Sequence, residues 1–581
     1  MKNDTANLPE TDRIRALSRE RVHILSLPPG KALDRILDHP SPAGLVHSFP
    51  EEDFYFLIHD IGLEDALPLL ALASYRQLDY ILDLELWEKD RLDLSAATQW
   101  FGAMLSADAT RFLEWLKQEK AELLEFYLFH NLEVRIREHD QDPSDFGDDF
   151  TTFDDVYYFR ILPETAFPES DDKDTVGGFG EEFRREQIRK ILTGLADMDH
   201  AGLQNLLLES LTILPAETEE EAYRWRNVRL AEKGFLPFDE AVGIYQPMDP
   251  DDLVGNSTAM NSTRFPRGFH GPAPLTPFNL LKESNIFSEA IANVTLDDRI
   301  YKIQEEFAFL CNQIIVADQK SVKSKEDLYA VVKKVCGYIN IALEFLSREK
   351  SDGHPESGKQ LLTYPLAHIF KVGYGRALSL KWDAKRWVKR SWFSSLDLRI
   401  SFWGEEWMGV LGGLLIKKPL FFDDYRTGNL YREFLSLDDI QKTREILNNI
   451  MACDKLLSRT ALNIKPLLPH GHLTYKNLLL TCWAGRYLGI HPYPEPLSKD
   501  EFRGFFADLW EPGTKPRKIK TSMKSDFLQF LSAETGWPAL EISRLAGEVL
   551  EDIFKTLENE YGEVSPENPD PRFILHFLLK S

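Results

Sequence analysis

The sequence predicts an all-α protein with an N-terminal superhelical array of short helices, a small β-hairpin insertion and a second, bundle-like helical domain. Two observations carry this prediction. Short amphipathic helical patterns follow one another between residues 48 and 90 with almost no connecting sequence, and longer ones fill the chain after residue 277. Helices of about ten to twelve residues are marginal alone in water, so each must bury its apolar stripe against the next.

Pairs of polar residues mark two helix starts in the segment 48–90. Ser48 stands three residues before Glu51, and Ser74 stands three residues before Gln77, which is the spacing of a capping box. Gly62 interrupts the apolar pattern between the two pairs, so we expect two short helices before the one that Ser74 opens. No sequence motif of fixed period recurs. The predicted repeat is therefore a structural one, in which similar helices follow one another without a shared sequence.

Two stretches of the chain resemble known protein families. The stretch FPEEDF (49–54), followed by IHDIGLEDALPLLALAS, is similar to the helical N-terminal domain of MgtE-type magnesium transporters, and FliG-like motor proteins share its style. This resemblance covers about residues 27–128 and implies a helical fold. Through WRNVRLAEKGFLPFDEAVGIY (225–245), the whole chain also resembles an uncharacterised bacterial family of long helical proteins. Both resemblances imply a fold and no chemistry.

Composition and periodicity divide the chain into six predicted regions. Residues 132–136 and 154–162 have strand-forming patterns, and residues 256–277 form the strongest shift in composition, which is typical of a linker. The regions are a disordered N-terminus (1–14), a helical-repeat array (15–136), an acidic loop with a β-hairpin insertion (137–180), a continued helical array (181–255), a linker (256–277) and a C-terminal helical domain (278–581).

The clearest helices are predicted at 218–233, 297–317, 325–346, 361–380, 436–458, 475–488 and 538–561. The first of them has three glutamates near its start, while Lys233 and then Gly234 stand at its end, as the helix dipole and C-cap preferences favour. We expect its Trp225 and Leu230 to pack inward.

Composition also bounds the compartment and the partners. The chain has 93 acidic and 68 basic residues, for a net charge of −25, so its average surface repels nucleic acid and anionic lipid. Its four cysteines are scattered without a Cys-x-x-Cys motif, and its polar start lacks the apolar run of a secretory signal. The longest apolar run, 407–416, has about half of the roughly twenty residues needed to span a membrane. We expect a cytoplasmic protein without membrane insertion and without a cofactor.

A divalent cation is one interpretation of the acidic loop. Asp142, Asp145, Asp148 and Asp149 could supply the clustered carboxylates that hard cations prefer. The favoured interpretation is a solvated loop, because an EF-hand counted from Asp140 would need glycine at the sixth position, where Asp145 stands.

Three further motifs resemble functional sites without completing one. Residues 353–360, GHPESGKQ, nearly spell a phosphate-binding loop but lack its hydroxyl residue after the lysine. His470 and His472 precede Cys482 and could ligate a metal, although loop histidines need no such role. The pair His59 and Asp60 is similar to the paired ligands of helical metal-dependent phosphohydrolases, whereas a helix cap is the simpler interpretation. No catalytic residue is predicted.

Basic residues and tryptophans concentrate in one stretch of this acidic chain, residues 381–392. Tryptophan and arginine are residues that interfaces prefer, so the stretch could bind an acidic protein partner, and nucleic acid is a poorer candidate. The alternative is that it docks on an acidic part of its own chain. A second basic stretch spans 515–524. The predicted partner-binding residues are Lys381, Trp382, Lys385, Arg386, Trp387, Lys389, Arg390 and Trp392.

These patterns predict a cytoplasmic, non-enzymatic helical-repeat interaction or scaffold protein, because solenoids present extended binding surfaces. Two alternatives stay open. One is a metal-dependent phosphohydrolase, and the other is a regulatory module that senses a divalent cation through the acidic loop.

Overall fold

The computed structural model is helical over most of its length, with only short antiparallel strand pairs, which confirms the predicted all-α class with a small β insertion. The residues that it describes are 10–88, 90–163, 180–211, 215–255, 276–281, 285–294, 297–349, 364–460, 462, 464, 467, 472–490, 494–513, 515–565 and 570–580. The chain divides into two compact units. Unit 1 comprises residues 1–246, 253–336 and 356–368, and unit 2 comprises residues 247–252, 337–355 and 369–581.

The predicted regions were placed by composition and stay predictions. The linker 256–277 lies outside the described residues except for its last two positions, and the first helix begins at Glu10, inside the segment predicted to be disordered.

The N-terminal part of unit 1 is a succession of short helices. They are α1 (Glu10–Leu25), α2 (Pro29–Leu37), α3 (Pro42–Val46), α4 (Glu51–Ile61), α5 (Leu67–Leu72), α6 (Tyr75–Glu85), α7 (Leu94–Glu119) and α8 (Ala121–Asn131). Two short strands, β1 (Trp87–Glu88) and β2 (Arg91–Leu92), pair between α6 and α7. Helix α7 is kinked at Asp108, where the backbone leaves the helical conformation. Whether the succession is superhelical stays a prediction.

One of the two predicted capping boxes forms. Ser74 and Gln77 satisfy each other's backbone donors at the start of α6. Ser48 does not cap α4, because Pro50 occupies the N-cap position and makes no side-chain cap bond. The Ser48 hydroxyl instead donates to the carbonyl oxygen of Leu45.

A three-stranded antiparallel sheet interrupts the helices where the β-hairpin was predicted. Strand β3 (Leu132–Ile136) pairs along its length with β5 (Tyr157–Ile161), and β4 (Thr151–Thr152) pairs with the other edge of β5. The ring of Phe146 stacks on Tyr158 at a centroid distance of 4.0 Å, which anchors the acidic loop between the strands.

The chain continues through short and then longer helices. They are α9 (Glu181–Met198), α10 (His200–Glu209), α11 (Pro215–Glu232), α12 (Phe238–Ala241), α13 (Pro250–Gly255), α14 (Thr276–Asn279), α15 (Ile286–Ala292), α16 (Asp297–Asp318) and α17 (Lys325–Glu349). In α11 the predicted inward position of Leu230 is correct, but that of Trp225 is wrong, since Trp225 is 44% exposed.

The helices of the rest of the chain belong to unit 2, apart from residues 366–368 at the start of the first one. They are α18 (Leu366–Val388), α19 (Trp392–Ser395), α20 (Gly404–Leu415), α21 (Leu437–Leu457), α22 (Tyr475–Tyr487), α23 (Lys499–Leu509), α24 (Thr521–Thr535) and α25 (Ala539–Tyr561), with a strand pair β6 (Phe421–Phe422) and β7 (Tyr431–Arg432). The apolar run 407–416 forms most of α20, which is largely buried. Among the described helices, none combines the length and apolarity that crossing a membrane requires.

All four cysteines are buried and reduced in the two cores. Cys311 and Cys336 belong to unit 1, and Cys453 and Cys482 belong to unit 2. Burial raises the pKa of Cys311 and Cys453 far above the usual value and raises that of Cys482 to about 12, because the thiolate loses its hydration.

Candidate docking surface

Helix α18 carries the predicted binding stretch, and a close backbone contact holds it in place. A side chain on Gly373 would overlap the carbonyl oxygen of Tyr338, so glycine allows α18 to lie against the second half of α17. The predicted helix 361–380 and the basic stretch form one element, which ends at Val388.

Lys381 lies on the internal side of α18. It is only 6% exposed, and its Nζ donates to the carbonyl oxygens of Ile416, at 2.6 Å, and Lys417. These carbonyls follow the C-terminus of α20, where the helix dipole favours a cation. Burial lowers the pKa of Lys381. The side chain therefore joins two helices of unit 2 and does not face solvent.

Trp387 and Trp392 also contribute to the interior of unit 2. The indole nitrogen of Trp387 donates to Asp454 at 3.1 Å, and its ring lies 5.8 Å from that of Trp403. Asp454 also accepts from the backbone N–H of Trp392 at 3.3 Å and of Phe393 at 2.9 Å. Burial raises the pKa of Asp454 although these donors favour its ionised form. This side of the stretch therefore packs against its own chain, as the alternative interpretation of the sequence predicted.

The other side of the stretch faces solvent. Trp382 is 47% exposed, and the four cationic side chains beyond it are exposed as well. We call this surface the basic face, and it consists of Trp382, Lys385, Arg386, Lys389 and Arg390. Of the eight predicted partner-binding residues, these five are exposed, and their role in binding stays a prediction.

Asp383 fixes part of the basic face. It accepts a hydrogen bond from Arg386 on the same helix and lies 3.3 Å from Nη1 of Arg444 on α21. Because Arg444 is partly exposed, it adds a further cation beside Arg386. The sequence did not indicate Arg444, since it stands far from the stretch along the chain.

The four candidate metal ligands of the acidic loop do not converge. Asp142 accepts hydrogen bonds from the backbone and the hydroxyl of Ser144, and these bonds lower its pKa. Asp145, Asp148 and Asp149 are exposed. Within the part of the chain that the structure describes, no three His, Cys, Asp or Glu side chains are arranged to hold a metal ion.

His59 and Asp60 take part in ionic contacts within unit 1. His59 Nε2 lies 3.3 Å from Glu85 Oε1, and the Tyr55 hydroxyl donates to the same oxygen at 2.5 Å. Burial disfavours the charged form of Glu85, yet these two hydrogen bonds lower its pKa. Asp60 pairs with Lys325, so it is an ion-pair partner and not the solvated cap that we predicted. His470 and the motif 353–360 lie outside the described residues.

Sequence reasoning missed a cleft of about 750 Å³ on the outer side of α11. Its walls are α11 and the chain from Leu236 to Glu240. Acidic and apolar side chains line it, among them Glu217, Glu220, Glu221, Glu240, Val228 and Leu236. The sequence does contain a signal for this surface, which is the helical spacing of its lining residues. On one side of a helix lie residues 217, 220, 221, 224, 228 and 231.

The inner side of α11 is held by ion pairs within unit 1. Arg229 donates two hydrogen bonds to the buried carboxylate of Asp83, at 2.6 and 2.7 Å, and Arg226 donates to the Asp83 carbonyl oxygen at 2.7 Å. Just past the helix, Lys233 donates to Glu51 at 2.7 Å and lies 3.4 Å from Glu52. Burial raises the pKa of Glu52, and Lys233 acts against that shift. The cleft therefore has a fixed wall.

These observations define an all-helical protein of two units with charged, tryptophan-bearing surfaces on helices whose other sides are anchored. A family model described as "Family of unknown function (DUF6178)" matches residues 9–580, and the chain belongs to that family. No curated protein and no solved structure matches the chain. Membership of an uncharacterised family was predicted, whereas the comparisons give no support to a resemblance to MgtE-type or FliG-like proteins.

Proposed function

We propose that the protein is a non-enzymatic, helical-repeat interaction or scaffold protein of the cytoplasm, which binds an acidic segment of a protein partner through the basic face. The observation that carries this proposal is the exposure of one tryptophan and four cations within nine residues, from Trp382 on α18 to Arg390 just after its end. On a chain with a net charge of −25, such a concentration of positive charge is the exception.

The chemistry of the basic face fits an acidic protein segment. Arginine forms planar, paired hydrogen bonds to carboxylates, and an exposed tryptophan supplies apolar area, so both residue types are enriched at binding hot spots. Complementary charge speeds association and selects against partners of the same sign. Arg444 next to Arg386 extends the positive surface onto α21.

The anchoring of α18 supports binding without large ordering costs. Lys381 and Trp387 fix the helix from its internal side, so the cations beyond them are presented on a rigid support. Rigid presentation preserves affinity, because less conformational entropy is lost when the partner binds. The phosphohydrolase and cation-sensor alternatives both need a metal site. Among the described residues, no three His, Cys, Asp or Glu side chains are arranged to form one.

The test replaces Lys385, Arg386 and Lys389 together by alanine. Exposed charges contribute only about 0 to 1 kcal/mol each, so the melting temperature should change little. Capture of acidic partners from cell lysate, identified by mass spectrometry, should fall strongly, and capture by the wild type should weaken as salt is raised.

A matched control removes three exposed cations elsewhere in unit 2, in the variant Arg544→Ala, Lys555→Ala, Lys499→Ala. The control should keep the wild-type set of captured proteins. An unchanged set in the basic-face variant, or an equal loss in both variants, would contradict the proposal.

A further inference from the structure

The cleft on α11 combines a negative rim with an apolar floor. Glu217, Glu220 and Glu221 project from α11, and Glu240 faces them from the other wall. All four are exposed, and among the described residues only Glu221 has an ion pair, a distant one of 3.9 Å to Arg224. Four carboxylates against one guanidinium leave the rim strongly negative.

Large apolar side chains in the cleft and next to it are exposed. Val228, in the floor, is 50% exposed, and Trp225 on the same helix and Phe238 in the opposite segment are each more than 40% exposed. Contiguous apolar area rimmed by polar residues is typical of interaction sites. The guanidinium of Arg224 lies 5.5 Å from the centre of the Trp225 ring, which still remains 44% exposed.

We infer that the α11 cleft binds a basic amphipathic segment of a partner protein, in which Lys and Arg flank apolar side chains. Its apolar residues would lie on Val228 and Leu236, and its cations would meet the glutamates of the rim. Helices with periodic apolar anchors bind in grooves of this kind. The negative charge of the whole chain attracts a cationic partner and opposes a second copy of itself.

The inference does not depend on the basic face, which carries the opposite charge and belongs to unit 2. The cleft lies entirely within unit 1. Failure of one site to bind therefore leaves the other untouched, and the two can be tested separately in the full chain.

The probe is a fluorescent 14-residue peptide of leucine and lysine at helical spacing, and its binding is followed by fluorescence anisotropy at 0.1 M salt. In the variant Glu220→Gln, Glu221→Gln, Glu240→Gln we expect the Kd to rise at least ten-fold. Val228→Asp should weaken binding similarly, because it places a charge on the apolar floor. The basic-face variant should bind the peptide as the wild type does.

The control variant removes three exposed glutamates elsewhere in unit 1, Glu114→Gln, Glu119→Gln, Glu182→Gln, and should bind normally. An equal loss in this control, or equal binding of a peptide of lysine and glycine, would show unspecific charge attraction and overturn the inference. An unchanged Kd in the cleft variant would overturn it too. So would concentration-dependent self-association that the cleft variant abolishes, since the occupant would then be a second copy.

Discussion

Helices α11 and α18 have similar residues, basic side chains among tryptophans, and use them in opposite ways. In α11, Arg226 and Arg229 point inward to Asp83, and the solvent side is acidic. In the basic stretch that ends α18, Lys381 points inward, whereas Lys385, Arg386, Lys389 and Arg390 remain in solvent. The difference teaches that the neighbouring element decides where a cation goes. Helix α6 offers a buried carboxylate to α11, whereas the chain just after α20 offers Lys381 of α18 two carbonyl oxygens.

The largest expected effect comes from the inner side of α11. Asp83→Ala should lower the free energy of unfolding by about 3 kcal/mol, because it leaves Arg229 beside α6 without its carboxylate. We place the value at the lower end of the range for buried pairs, since a third of the Arg229 side chain reaches solvent. Urea unfolding measures it. A loss below about 1 kcal/mol would show that the pair does not anchor α11.

The next effect compares a buried and an exposed lysine of α18. Lys381→Met should cost about 2 kcal/mol, because two carbonyl oxygens after α20 lose a charged donor. Lys385→Met, one turn further along the helix, should change the unfolding free energy by less than about 0.5 kcal/mol. Equal losses in the two variants would mean that the burial of Lys381 and its two hydrogen bonds add no stability beyond that of an exposed lysine.

A smaller effect depends on pH and concerns the acidic surroundings of α11. Burial raises the pKa of Glu125 on α8 to about 7, and the carboxylates of Glu209, Glu122 and Glu221 add to the shift. The folded state therefore holds this proton more tightly than the unfolded state, and its contribution to stability is lost as the pH rises from about 4.5 to about 7.

Glu125→Gln should accordingly increase the unfolding free energy at pH 8, and the gain should shrink towards zero at pH 4.5. Urea titrations at the two pH values measure it, with the exposed Glu114→Gln as the control that should show no such trend. A gain that is independent of pH would exclude the raised pKa as its cause.

The smallest effect concerns the ion pairs at the surface of α18. Asp383→Ala breaks contacts to Arg386 and Arg444, yet the pairs are partly exposed, so the cost should stay below about 1 kcal/mol. Together with Asp83→Ala it forms a matched test of one residue type in two settings. A cost as large as that of Asp83→Ala would erase the distinction between α11 and α18.

Helix positions were the most predictable part of the fold, because apolar periodicity reports local structure directly. The predicted helices 436–458 and 475–488 agree with α21 and α22 to within one residue at each end. The Ser48 cap failed because a nearby proline took the N-cap position, which spacing alone does not reveal.

The candidate sites were less predictable, because exposure depends on tertiary neighbours. Trp225 was expected inside and lies outside, whereas the two placements left open for Trp387 and Trp392 depended on Asp454 of another helix, which accepts from the Trp387 indole and the Trp392 backbone N–H. No local pattern indicates a partner that is more than 60 residues away. The α11 cleft was missed for the same reason, since its second wall is a segment without strong periodicity.

The buried cysteines provide a separate chemical probe for the opening of each unit. Thiolates and not thiols react with alkylating reagents, and burial raises the pKa of Cys311, Cys453 and Cys482. Since all four cysteines are buried, modification of the native chain should wait for local or global opening. Cys311 and Cys336 would time the opening of unit 1, and Cys453 and Cys482 that of unit 2. Mass spectrometry of alkylated peptides could thus follow both units at once in an unmutated chain, and a cysteine added at either surface would be labelled long before them.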